Sequence, residues 1–340
     1  MASGMLFAEG FDWRVDGGYL PSGWTGGYAN TISASYRNGP TGKGMRNYDT
    51  SHLYFTTAAT DHVVLHYMVK PSSHNGQYAL CSFLCNSTST YQLSVDRMSD
   101  GSIAVYRPTG PVELGRTAAG LMPISGAWMG LEIRVKFDNS AGEVEIRIDG
   151  VQQLLLTSVD TQDTAYADCT GVMFKMDVGN ETSVDDIVFR DYSVNPTMTG
   201  NYIVRSLMPN GNGNSSQFTG SDADSTDNYL LVDEIPHDSD TTYVESSTIG
   251  HKDMYAITNT GFSAATILAV QVHTIARKTD GVTRQIETVI RHSTNETNGA
   301  TQTLGSSYDT RKDVFDDVPG GTGWTLAQVE ALEVGQTVIA

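Results

Sequence analysis

The run Trp128-Met129-Gly130-Leu131-Glu132-Ile133-Arg134-Val135-Lys136-Phe137 followed by Asp138-Asn139-Ser140-Ala141-Gly142-Glu143-Val144-Glu145-Ile146-Arg147-Ile148-Asp149-Gly150 decides the fold. Leu131, Ile133, Val135 and Phe137 alternate with Glu132, Arg134 and Lys136. Alternation with period two places the apolar set on one face of a strand and the charged set on the other. Asp138 to Gly142 turns the chain. Val144, Ile146 and Ile148 then face the core, with Glu143, Glu145, Arg147 and Asp149 directed to water. Asp149-Gly150 is a favoured two-residue hairpin turn before Val151 to Leu156. One buried face and one wet face predict antiparallel sheets stacked as a sandwich.

Working outward, Val63, Leu65, Tyr67 and Val69 repeat the pattern, and Lys70-Pro71 stops it. Tyr91, Leu93 and Val95 form another strand, turned by Ser99-Asp100-Gly101 into Ile103 and Val105. Val172, Phe174, Met176, Ile187 and Phe189 close a first domain, residues 1–193. Residues 194–201, opening Val194-Asn195-Pro196-Thr197, read as a linker. A second β-rich domain, residues 202–340, opens on a short strand from Tyr202 to Leu207. Pro209 to Asn228, crowded with Asn, Gly, Ser and Asp, reads as a long loop. Ile267 to Ala276 and Val282 to Arg291 are expected to pair as a hairpin through Asp280-Gly281. One short helix follows Thr325, with Gln328 completing a capping box and Leu326, Val329 and Leu332 sharing a face. The expected class is all-β: an antiparallel β-sandwich followed by a second β-sandwich with one short C-terminal helix.

Composition supports strands over helices. Of 340 residues, 34 are glycine, and charged residues make up only 18%. Thirty-nine acidic against 21 basic residues give a net charge of −18. Such a chain repels phosphate backbones and anionic bilayers, so nucleic acid and membrane are excluded as expected partners. No apolar run approaches the roughly 18 residues that span a bilayer, and the N-terminal residues do not have the pattern of a secretory signal. Three cysteines make no disulfide framework. Cys81 and Cys85 share a strand pattern and lie roughly 13 Å apart by strand rise, too far to bridge. All three read as small buried hydrophobes in a protein folded in a reducing cytoplasm.

Catalytic patterns are weak. Gly39-Pro40-Thr41-Gly42-Lys43-Gly44 has Arg37 where a phosphate loop needs glycine, and Gly44 where it needs Ser or Thr. Glu143, Glu145 and Asp149 lie on one strand face with neighbours about 6–7 Å apart. That spacing suits paired-carboxylate glycoside hydrolysis, but Arg147 sits among them. His62 and His66 are four apart on a strand and do not converge as zinc ligands would on a helix.

Two binding readings remain. Trp24, Tyr28 and Tyr36, flat rings among Gly and Ser, could stack on sugar faces; the competing role is packing at a sandwich edge or a subunit contact. Asp222, Asp224 and Asp227 gather carboxylates in one loop, as calcium prefers, and Asp185-Asp186 is a second calcium candidate. The alternatives are a plain acidic surface loop for the first set and carboxylates bonding backbone amides for the second. No other cofactor is expected.

Trp128 to Val135, Gly142 to Gly150, Val159-Asp160-Thr161 and Val184-Asp185-Asp186-Ile187-Val188-Phe189-Arg190-Asp191 together resemble a laminin-G-like, concanavalin-A-like jelly roll. The resemblance is to the version found in structural proteins of tailed bacteriophages. Leu207-Met208-Pro209-Asn210-Gly211-Asn212-Gly213-Asn214, Val232-Asp233-Glu234, Asp240-Thr241-Thr242-Tyr243-Val244 and Ala269-Val270-Gln271-Val272 are similar to the domain that follows it there. So are Ala276-Arg277-Lys278-Thr279-Asp280, Trp324-Thr325 and Leu332-Glu333-Val334-Gly335. The resemblance implies a non-enzymatic virion component assembled in the host bacterial cytoplasm, decorating the capsid or neck or serving as a tail-associated attachment protein. It implies other virion proteins as partners and a glycan- or host-binding surface. Calcium or glycan binding is common among laminin-G-like domains, and the resemblance transfers no catalytic residue. Phage exteriors use symmetric assemblies, so a homo-oligomer, a trimer, is expected. The rival is a jelly-roll glycan-processing enzyme of the glycoside hydrolase type.

Overall fold

The computed structural model describes residues 4–11, 24–26, 30–33, 44–47, 52–71, 76–86, 90–124, 126–175, 182–198, 200–235 and 237–340. The chain divides into two compact units, one running Gly4–Val204 and the other built on Arg205–Ala340. Both are antiparallel β, and the one α-helix among the described residues is short.

In the first unit, β1 (Met5–Glu9), β2 (Trp24–Gly26), β3 (Asn30–Ser33), β4 (Gly44–Asn47) and β5 (His52–Thr60) come first. Then follow β6 (His62–Lys70), β7 (Tyr78–Leu84), β8 (Tyr91–Arg97), β9 (Ile103–Arg107) and β10 (Val112–Arg116). β11 (Met129–Lys136), β12 (Gly142–Ile148), β13 (Val151–Val159), β14 (Cys169–Lys175) and β15 (Ser183–Asp191) complete it. One sheet runs β13-β12-β11-β6-β15-β4-β3 with β1 also on β15; the other runs β10-β9-β8-β7-β14-β5-β2. Sequence neighbours alternate between local hairpins and long crossovers, giving the jelly-roll sandwich.

The alternating residues do what their period demands. Val63, Leu65, Tyr67 and Val69 meet Leu131, Ile133, Val135, Val144 and Ile146 of the same sheet and Phe83, Leu93, Val95, Val172 and Phe174 of the other in one core. Phe55 packs edge-on against Phe189 with ring centroids 5.5 Å apart. The β12–β13 hairpin turns through Asp149 and Gly150, both at positive φ (49° and 80°), as a two-residue turn of this hand requires. Cys81, Cys85 and Cys169 are buried free thiols. Burial pushes the Cys169 thiol up to about 12 and raises Cys81 and Cys85 as well.

The second unit holds β16 (Pro209–Ser216), β17 (Thr219–Gly220), β18 (Val244–Glu245), β19 (Lys252–Ile257) and β20 (Val270–Ala276). β21 (Gln285–His292), β22 (Asn295–Asn298), β23 (Gln302–Thr303), β24 (Asp309–Phe315), α1 (Leu326–Glu330) and β25 (Leu332–Val338) follow. β16-β19-β25-β21-β22 form its main sheet, with β23 also on β21. Val270 and Val272 of β20, Phe315 of β24 and Val329 of α1 pack with Ile257, Ile290 and Leu332 of that sheet. Thr325 and Gln328 make the expected capping box, the Gln328 amide donating to Thr325 Oγ1 at 3.3 Å and the Thr325 amide to Gln328 Oε1 at 2.8 Å.

Four expectations about local structure are corrected. Residues 202–207 are not a strand. Pro209–Ser216, expected as loop, is β16; its glycines serve close approach, since a Cβ on Gly213 would lie 2.7 Å from the Met254 carbonyl group on β19. β20 does not pair with β21 but with β24, and β21 pairs with β25, because the apolar face of β20 is covered together with Phe315. Leu332 lies in β25, beyond the helix.

A fifth correction concerns the outer face of β6, β11, β12 and β15. Glu132 and Glu145, expected in water, are 1% and 3% exposed. Residues 192–198 and 200–204 lie over this face within the first unit. The Arg190 guanidinium donates to the Thr197 carbonyl at 2.5 Å and Arg147 to the Met198 carbonyl at 3.3 Å. The Tyr202 amide donates to His66 Nε2 at 3.3 Å, and the Val204 amide to Asp186 Oδ1 at 2.6 Å. Hydrogen-bonded partners make burial of Arg190, His66 and Asp186 tolerable.

Candidate functional site

With one outer face of the first unit overlaid, the other sheet offers a more open polar surface. Registers align Glu113 with Tyr106, Tyr106 with Ser94, Ser94 with Ser82, Ser82 with Met173 and Met173 with Tyr54. At about 4.8 Å per strand this row spans about 24 Å. Its middle is closed: Ser82 and Met173 are buried, and the Tyr91 hydroxyl donates to Met173 Sδ at 3.5 Å. Gln92, one step along β8, is also covered, its Oε1 accepting from the Asp163 and Thr164 amides.

The β8–β10 end of the row is accessible. Tyr106 is half-buried, with Glu113 and Arg116 exposed beside it. The Tyr106 hydroxyl donates to Glu113 Oε2 at 3.0 Å, and Arg116 donates to both Glu113 oxygens, from Nε at 2.7 Å. Arg116 holds the Glu113 carboxyl below its ordinary value, whereas partial burial and the Glu113 charge raise the Tyr106 phenol. On β8, Asp96 accepts from Ser94 Oγ at 2.5 Å and from the exposed Gln77 Nε2 at 3.1 Å. The result is a ring with fixed planar donors and acceptors around it. Such a surface stacks on an apolar sugar face and bonds the hydroxyls at its rim.

Sequence reasoning did not find this cluster. Tyr106, Glu113 and Arg116 are spread over a hairpin with a bulge between Glu113 and Gly115, and Gln77 comes from outside β7. Only cross-strand register joins them. Of the aromatic residues named from the sequence, Tyr28 and Tyr36 lie outside the described residues. Trp24 is in β2, its backbone opposite Phe55 on β5.

The calcium candidates are not assembled into a site. Among the described residues no group of three or more His, Cys, Asp or Glu side chains is placed to hold a metal ion. Asp222 Oδ1 accepts from the Asp224 amide, Asp224 Oδ1 from the Thr226 amide at 2.7 Å, and Asp227 Oδ1 from Asn212. The first two are local turn bonds of the kind short acidic side chains make; the third ties the loop to β16. Asp185 and Asp186 are both buried; Asp185 Oδ1 accepts from the Asp186 amide at 2.7 Å, and Asp186 sits at a positive φ of 49° where β15 slips register against β6. Of the carboxylates considered for hydrolysis, Glu143 and Glu145 are ion-paired, and Asp149 Oδ1 accepts from the Gly130 amide at 2.8 Å. Glu145 is ion-paired with Arg147 at 2.6 Å and Arg134 at 3.1 Å, and Arg134 reaches Glu143 at 3.4 Å.

No protein-family model matches the chain, and no curated protein sequence matches it. Solved structures do resemble it in fold. The alginate lyase Aly36B is 13% identical with a TM-score of 0.41, over 56% of this chain and 98% of that one. A carbohydrate esterase from the Shiga toxin-encoding bacteriophage phi24B is 14% identical with a TM-score of 0.35, over 50% and 90%. A Bacillus subtilis protein of unknown function with a galectin-like fold is 12% identical with a TM-score of 0.36, over 49% and 89%. Likeness at this level gives no residue a role; the chain is an antiparallel jelly-roll sandwich joined to a second β unit.

Proposed function

We propose that this chain is a non-enzymatic structural protein of a bacteriophage particle whose first unit binds glycan on the β8–β10 end of its open sheet. The observation that carries the glycan reading is the Tyr106 ring flanked by the Glu113–Arg116 fork and the Gln77–Asp96 pair. Ring and polar groups are held by one another, so little side-chain freedom is lost when a ligand docks. The sequence resemblance to phage structural proteins supports the particle assignment. The engagement of Glu143 and Glu145 with Arg134 and Arg147 supports binding over hydrolysis, because these oxygens already serve as ion-pair acceptors.

Titration with host surface polysaccharide tests the site. Tyr106→Ala is expected to weaken binding about tenfold or more, in line with about 1–3 kcal/mol for an aromatic stacking contact, with an unchanged melting temperature. Binding unaffected by Tyr106→Ala would remove this face from consideration. Release of reducing ends from the same polysaccharide would favour the glycan-processing reading. Mass spectrometry of purified particles tests the virion assignment, and absence of the chain from them would overturn it.

A further inference from the structure

The overlaid face of the first unit holds a carboxylate in an unusual setting. Glu132 lies on β11, directly opposite His66 on β6 and Arg147 on β12. It is 1% exposed, and neither carboxylate oxygen has a well-formed hydrogen bond among the described residues. A buried charge in that state is costly unless it is neutralised. Burial pushes the Glu132 carboxyl up to about 7, against the opposing pull of Arg147, Arg190 and the Gly200 amide and with a smaller upward push from Glu145.

The cover is made of chain rather than of core. Residues 192–198 and 200–204 cross the face without strand or helix and are held by hydrogen bonds and by the Tyr192 and Tyr202 rings, which meet Arg134 and Arg190. Besides the four bonds from Arg147, Arg190, Tyr202 and Val204, the Tyr192 hydroxyl accepts from Arg134 at 2.9 Å and Asn201 Nδ2 donates to Asp149 Oδ1 at 3.4 Å. The fit is close at Gly130, where a Cβ would fall 1.8 Å from the Asn201 side-chain oxygen.

We propose that residues 192–198 and 200–204 form a proton-responsive strap: it closes over a neutral Glu132 and opens when that carboxyl ionises and must be hydrated. The groups around Glu132 define what else could titrate. They are His66 on β6, Arg134 on β11, Glu145 and Arg147 on β12, Asp185, Asp186 and Arg190 on β15, and Tyr192 and Tyr202 on the strap. Glu145 is committed to two arginines, and His66 receives the Tyr202 amide on Nε2. Protonating that nitrogen removes the bond, so His66 alone would open the strap as pH falls. Glu132 has the opposite sign. Its value is raised on closure, so the closed form is favoured fully below the ordinary carboxylate range. That advantage is lost as pH rises through about 7.

Amide hydrogen exchange at Tyr202 and Val204 of the full chain, corrected for intrinsic base catalysis, reads the opening equilibrium. Between pH 5 and pH 8 opening is expected to rise ten- to a hundredfold and to level off above about pH 7. Glu132→Gln is expected to abolish the rise and keep both amides protected throughout. Opening that grows as pH falls, or a rise retained in Glu132→Gln, overturns the proposal. Should that variant not fold, infrared difference spectra of the unsubstituted chain decide. Loss of a protonated-carboxyl band between pD 6 and 8 supports the strap, and its absence sinks it. The inference is independent of the glycan reading, which concerns the other sheet.

Discussion

Among the described residues, the first unit gathers thirty buried apolar residues into one cluster, whereas the main cluster of the second gathers seven. Unequal lengths do not account for a difference of that size. Around its smaller core the second unit has a few buried polar joints. Asp253 is 1% exposed and accepts from the Gln217 amide at 2.9 Å, the Phe218 amide at 3.4 Å, Asn228 Nδ2 at 2.7 Å and the Tyr255 hydroxyl at 2.7 Å. Asp313 similarly accepts from the Ala300 amide at 3.0 Å and Gln302 Nε2 at 2.8 Å. The first unit adds a large apolar volume to its buried polar bonds, whereas the second has a small core and leans on a few such joints. Volume tolerates approximate replacements, whereas a bonded joint fails when a single acceptor is lost.

Three substitutions are arranged to break or sharpen that contrast. Phe189→Ala removes a fully buried ring from the core of the first unit and is expected to cost about 4 kcal/mol by denaturant unfolding. Phe189→Leu should restore much of it. Asp253→Ala removes an acceptor shared by two side chains and two amides, leaving the Tyr255 hydroxyl and the Phe218 amide without theirs, and is expected to cost about 3 kcal/mol. Asp253→Leu, which fills the volume, should not rescue it; a rescue would show that the second unit is also held by packing. Thr325→Ala removes the helix cap and should cost about 1 kcal/mol, confined to the transition that reports the second unit. A cost shared by both transitions would contradict the division into two units.

The same contrast explains which parts of the fold could be read from sequence. Leu131, Ile133 and Val135 alternate strictly, and Asp149-Gly150 carries the turn in two adjacent residues that accept positive φ, so strand, face and partner were all legible. In the second unit the signals conflict. Gly211 and Gly213 give β16 the composition of a loop, although Gly213 is there because Met254 leaves no room for a Cβ. The adjacency of β20 and β21 in sequence suggested a hairpin, but β20 closes on β24 from beyond residue 300, a long-range choice that no local pattern encodes.

At the sites the limits are of the same kind. The capping box, whose partners are three residues apart, was legible. The Tyr106 cluster and the cover over Glu132 were not. Period two says that Glu132 and Glu145 share the polar face. It says nothing about a distant segment returning to bury that face.

The buried thiols give the two units separate chemical identities. All three cysteines fall in the first unit, at positions 81, 85 and 169, and none occurs after residue 204. Reaction with an alkylating reagent requires the thiolate, and burial both hides these sulfurs and disfavours that form. Labelling therefore waits for the sandwich to open, and its rate keeps time for that unit alone while the other remains silent. The chain carries its own clock for one half of its unfolding, with no engineered probe.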